Sequence, residues 1–168
     1  RKFQYLDEED KSYGITGMVI SLNVFDRPSV LSRISIEDSD ESLEFTPDFF
    51  FCGNPGISAK LAWNEIIKQY QLLTGMVIGN IMCRYYVHRR KGIDRDTRLA
   101  IRALVDDEGR EACNLDADEI DVLFDKTFGY LDSVYRDPRL ASLARDFAVT
   151  LRQRRVMTGS DISDEFRN

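Results

Sequence analysis

Gly17-Met18-Val19-Ile20-Ser21-Leu22-Asn23-Val24 is the stretch on which the fold turns. Met18, Ile20, Leu22 and Val24 alternate with Gly17, Val19, Ser21 and Asn23. That period of two predicts a strand with one face buried. Asp26-Arg27-Pro28-Ser29 follows as turn chemistry, because Pro fixes φ and Asp and Ser bond locally. The alternation then resumes, with Val30, Ser32, Ile34 and Ile36 inward and Leu31, Arg33, Ser35 and Glu37 outward. Beyond a polar loop, residues 43–52 read as a third strand whose middle Pro47 assigns to an edge or a bulge. Short connections predict an N-terminal three-stranded antiparallel meander.

Working outward, Gly53-Asn54-Pro55-Gly56 breaks the pattern and the period turns helical. Ser58 is a good N-cap for a first helix running to about Arg90, with Trp63, Ile66, Tyr70, Leu73, Val77 and Ile81 as its stripe. Residues 72–87 are apolar on almost every face, so this helix must be surrounded and forms the spine of the fold. A second helix, residues 95–107, is expected to bury Leu99, Ala103 and Leu104. Asp116 and Glu119 have capping-box spacing ahead of a third. Asp137-Pro138 starts a fourth, and these last two should pair as a helical hairpin. Residues 1–12 and 158–168 are polar and expected to be flexible. The reading is one α+β domain over residues 1–168. Its sheet lies in 13–52, packed on the long central helix, and residues 58–156 are helical, with a three-helix C-terminal part completing a bundle.

Composition narrows the function classes. The chain has 168 residues, 43% hydrophobic and 31% charged, enough for one substantial core. A net charge of −6 weighs against a dedicated nucleic-acid binder. Cys52, Cys83 and Cys113 are odd in number and far apart, which predicts no disulfide and fits a reducing compartment. The opening residues carry no signal-peptide pattern, and the longest apolar run, broken by Thr74 and Asn80, is too short to span a membrane. The expectation is a cytoplasmic protein with no membrane partner.

Three features carry candidate chemistry. Gly75, Gly79 and Cys83 lie four residues apart on one helix face, and glycine inside a helix costs roughly 1 kcal/mol against alanine. They mark close packing, either within the chain or along a dimer seam. Gly56, Ser58 and Lys60 stand at a helix start whose free N–H groups suit an anion, although neither P-loop nor dinucleotide spacing is present. The turn between the first two helices gathers Arg84, His88, Arg89, Arg90, Lys91, Arg95, Arg98 and Arg102, with Tyr85 and Tyr86 interleaved. It reads as a patch for nucleic acid or an acidic partner, or as cations paired with carboxylates of the same chain. Phe49, Phe50 and Phe51 exceed what one buried strand face needs and read as a core junction or an interface.

No catalytic set emerges. His88 is the only histidine and has no metal-ligand spacing around it. No cofactor loop or nucleophile signature stands in the sequence. The expectation therefore leans away from an enzyme. It favours a non-enzymatic protein-interaction or assembly module that binds a protein partner or itself, with a homodimer as one form. The alternative is a binding module for an anionic ligand or nucleic acid, through the basic turn or residues 53–60; nucleic acid is the less favoured partner.

Overall fold

Residues 3–25, 28–47 and 63–167 are described by a computed structural model of the chain. The candidate anion turn (Gly56, Ser58, Lys60) and Phe49, Phe50 and Phe51 lie outside the described residues. Helix α1 is Glu8–Val24 and α2 is Trp63–Met82, extended by a π-helical turn Cys83–His88. Then come α3 (Arg95–Asp107), a second π-turn (Glu108–Ala112), α4 (Ala117–Tyr135), α5 (Pro138–Arg154) and α6 (Gly159–Arg167). Strands β1 (Leu31–Ser35), β2 (Leu43–Phe45) and β3 (Val156–Thr158) form one antiparallel sheet in the order β2-β1-β3. The fold is α+β, as the two periodicities in the sequence require.

The deciding stretch is helical. Residues 17–24, read above as a strand, are the second half of α1. Asp7 caps it by accepting a hydrogen bond from the Asp10 N–H, and Glu8, Glu9 and Asp10 complement the positive end of the helix dipole. The residues expected to be frayed are therefore a helix start. Alternation misleads here because α1 is buried on nearly every side: Ser12, Tyr13, Gly14, Ile15, Thr16, Gly17, Val19, Ile20, Ser21 and Leu22 are all buried. A helix without a solvent face shows no 3.6-residue polarity, and chance alternation takes its place.

The N-terminal meander is corrected accordingly. Its middle run is β1, the centre of the sheet, with a register irregularity between Leu31 and Arg33 against β2. The third strand comes from the far end of the chain, with Arg33↔Thr158, Ile34↔Met157 and Ser35↔Val156 in register. A helix, α6, stands where the polar C-terminal residues suggested a loose end, and Ile162 on it is buried.

The bundle centre is the crossing of α1 and α2. A Cβ on Gly17 would lie 2.0 Å from the Gly79 carbonyl oxygen, and one on Gly79 would lie 2.1 Å from Ser21 Oγ. Ser21 Oγ donates to the Gly75 carbonyl at 2.7 Å, so the contact is backbone against backbone with a hydroxyl stitching it. Gly75 itself meets the ring of Phe25. Cys83, fully buried, continues this row, and burial pushes its thiol up to about 12, leaving it inert. Cys113 is disulfide-bonded, which corrects the expectation of no disulfide and removes the cysteine argument for a reducing compartment. Among the described residues no helix is long and apolar enough to cross a membrane.

Candidate functional site

Both α2 and α3 end in the same way. The ladder widens to an i→i−5 bond (Arg89 N–H to Arg84 O, 3.0 Å; Cys113 N–H to Glu108 O, 3.1 Å). A left-handed residue follows (Arg90, φ 51; Asn114, φ 55), and an i→i−6 bond closes the end (Lys91 N–H to Tyr85 O, Leu115 N–H to Gly109 O, both 2.8 Å). This is the Schellman way of stopping a helix, built on non-glycine residues. On α2 the widened turn has a further effect, because it brings Arg84, His88 and Arg89 round to α1.

There they meet Asp10, whose side chain is fully buried. Arg84 Nε and Nη2 donate to Asp10 Oδ2 at 3.2 and 3.0 Å, Arg89 Nη2 at 2.8 Å, and the Leu6 N–H at 3.0 Å. His88 Nδ1 lies 3.2 Å from Asp10 Oδ1, with Nε2 3.3 Å from Glu9, and its ring is stacked flat on Tyr13. Burial pushes the Asp10 carboxyl up; the bonds from Arg89, Leu6 and Arg84 outweigh burial and hold it at about 2. Arg84, 1% exposed, is also bonded to Asn80 Oδ1 and the Gln4 carbonyl and lies 4.6 Å over the Tyr5 ring. The cluster clamps residues 4–10 to the end of α2.

The basic turn is thus divided. Arg84, His88 and Arg89 point inward to Asp10. Arg98 and Arg102 reach across to Asp125 and Asp121 of α4, each at 2.9 Å, and Arg102 also holds Asp106. Lys91 lies 5.5 Å over the Tyr85 ring. Arg90 and Arg95 remain without an ion-pair partner among the described residues. The carboxylate row on α4 is in good part the counter-charge of α3. No group of His, Cys, Asp and Glu among the described residues is arranged to hold a metal ion.

On the opposite side of Arg84 lies an apolar groove of about 510 Å³. Met18 of α1 and Leu73, Met76, Val77 and Ile81 of α2 line it, with Phe3 and Tyr5 on one side and Leu104 of α3 on another. Gln4, Asn80 and Arg84 close its polar end. The sequence reading missed the groove because it needs α1 to be a helix. It missed the exposure of α3 for a related reason. The buried residues of α3 are Thr97, Ile101 and Val105, whereas Leu99 and Leu104, expected in the core, are 56% and 52% exposed. The clue was Ile101 flanked by Thr97 and Val105, a stripe at helical spacing that competes with the leucines.

No family model, no curated protein and no solved structure matches the chain.

Proposed function

We propose that this protein is a non-enzymatic interaction and assembly module whose contact surface is the apolar groove beside α1 and α2 together with the exposed apolar edge of α3. The observation that supports it is the continuity of the two: Leu104 both projects from α3 and lines the groove. An open apolar trough with a projecting leucine at its rim is the form that receives apolar side chains spaced along a partner helix. Methionines in its floor suit such a role, because their side chains are flexible and adapt to what they meet. The anionic-ligand reading has less to draw on, since most cations of the basic turn already have carboxylates of the same chain.

Selection of displayed helical peptides against the full chain tests the reading. Binders should carry apolar residues at i, i+3 or i+4, and i+7, and should lose about tenfold or more in affinity against Leu104→Lys and Val77→Lys. Both positions are at least partly exposed, so the variants should fold, which a melting curve checks. Binders indifferent to both variants, or no binders above background, would overturn the assignment.

A further inference from the structure

The exposed edge of α3 has an internal symmetry. Its outward residues read Leu99, Ala100, Ala103, Leu104, the same in both directions about the midpoint between Ile101 and Arg102. Ile101 between them is fully buried in its own chain. Large residues at the ends and alanines at the centre are what an antiparallel pair of identical helices requires, since small central side chains let the axes approach. A two-fold interface presents the same patch from both sides and must be self-complementary.

Charge along the same helix is arranged for this pairing and against the isolated helix. Residues 89–98 hold five cations and two carboxylates, and residues 106–111 hold four carboxylates and one cation. A helix dipole favours the reverse, acids first and bases last. Arg90 and Arg95 at one end, and Asp107 and Glu111 at the other, have no ion-pair partner among the described residues.

Resting on the interaction reading above, we infer that α3 is the seam of a homodimer, in which two copies of the helix pack antiparallel about a two-fold axis at residues 101–102. Leu99 then meets Leu104 of the second copy, and Ala100 meets Ala103. The basic end of each helix lies over the acidic end of the other. Arg95 comes opposite Glu108 and beside Asp107 of the second copy. Asp96 against Asp107 is the repulsive pair, which the apolar centre and Arg95 must outweigh. Leu99 of the second copy arrives at the rim of the 510 Å³ groove, beside Leu104.

Light scattering and sedimentation on the full chain test this. The wild type should be a dimer, and Leu99→Glu and Leu104→Glu should be monomers with melting temperatures of the protomer fold retained. Dissociation should rise on Arg95→Glu. Register is read separately: Ala100→Cys mixed with Ala103→Cys should cross-link on oxidation far faster than either variant alone. A strict monomer up to millimolar concentration, a dimer intact in both leucine variants, or equal cross-linking in the mixed and unmixed samples would overturn the seam. The peptide selection then still decides the interaction reading, because it does not depend on self-association.

Discussion

Asp10 is the residue on which the N-terminal half of the molecule depends. Its carboxylate is fully buried and bonded by two arginines and a backbone N–H. Arg84 is buried beside it, so removing the acid leaves a cation in the interior with only neutral partners. Breaking a buried pair from one side costs about 3–5 kcal/mol, far more than the pair is worth against an apolar replacement. Asp10→Asn should therefore lower the stability by about that amount in urea unfolding, with Arg84→Met less damaging than the asparagine variant. The same residue sets an acid limit. Its folded pKa, about 2, lies below the value of about 4 for an unfolded aspartate. The unfolded chain then binds the proton more readily, and the stabilisation is complete above pH 4 and lost as pH falls from there through 2. Urea midpoints measured from pH 6 to pH 2 should fall steeply in the wild type, and less steeply in Asp10→Asn; parallel curves would show that Asp10 does not set the limit.

At the scale of elements, the α1–α2 crossing explains both what was legible in the sequence and what was not. Gly75, Gly79 and Cys83 announced that something passes close to α2, and α1 is what passes. The partner was hidden by the burial that makes it important. With no solvent face, α1 offered no helical periodicity, and its real signature was Gly14, Gly17 and Ser21 at spacings of three and four, the small-residue complement of α2. By contrast α4 and α5 were legible at once, because each has a wet face, a capping aspartate and, on α5, Pro138 in the first turn. The basic turn was legible as a charge cluster, but not as inward-facing, since that depends on the π-turn and on α1. Two glycines test the crossing. Gly17→Ala drives a methyl into the Gly79 backbone, which cannot rotate aside, and should cost about 2–3 kcal/mol or more. Gly129→Ala, inside α4 with nothing within 4 Å of the new methyl, should stabilise by about 0.5–1 kcal/mol from backbone entropy. Thermal melts of the two variants should move in opposite directions.

For the whole molecule, what matters is how the two ends of the chain close on one another. β1 has no hairpin partner on its second edge; that edge is taken by β3, three residues between α5 and α6 that no period could have revealed. Arg155, at the hinge into β3, adopts a left-handed φ of 69°. Its carbonyl accepts from the Ile36 N–H at 2.9 Å, and its guanidinium holds Glu37 at 2.7 Å and both carboxylate oxygens of Glu8. One residue thus links the start of α1, the exit of β1 and the end of α5. Those ion pairs are exposed and worth little singly. Energy comes instead from what β3 and α6 bury: Met157 and Ile34 are fully inaccessible, Ile162 nearly so, and the rings of Phe147 and Phe166 meet at 5.3 Å. Met157→Ala should cost about 2–5 kcal/mol, as for other fully buried large-to-small changes. Arg155→Ala should cost much less, because a strained backbone and solvent-screened pairs are lost together. If the sheet is part of the single cooperative unit, a chain ending at residue 155 should lose its sharp thermal transition, since Ile34 and Phe147 become exposed and β1 gains an open edge. A truncated chain that still melts sharply at nearly the same temperature would show that the helical bundle stands alone and that the sheet is an attachment to it.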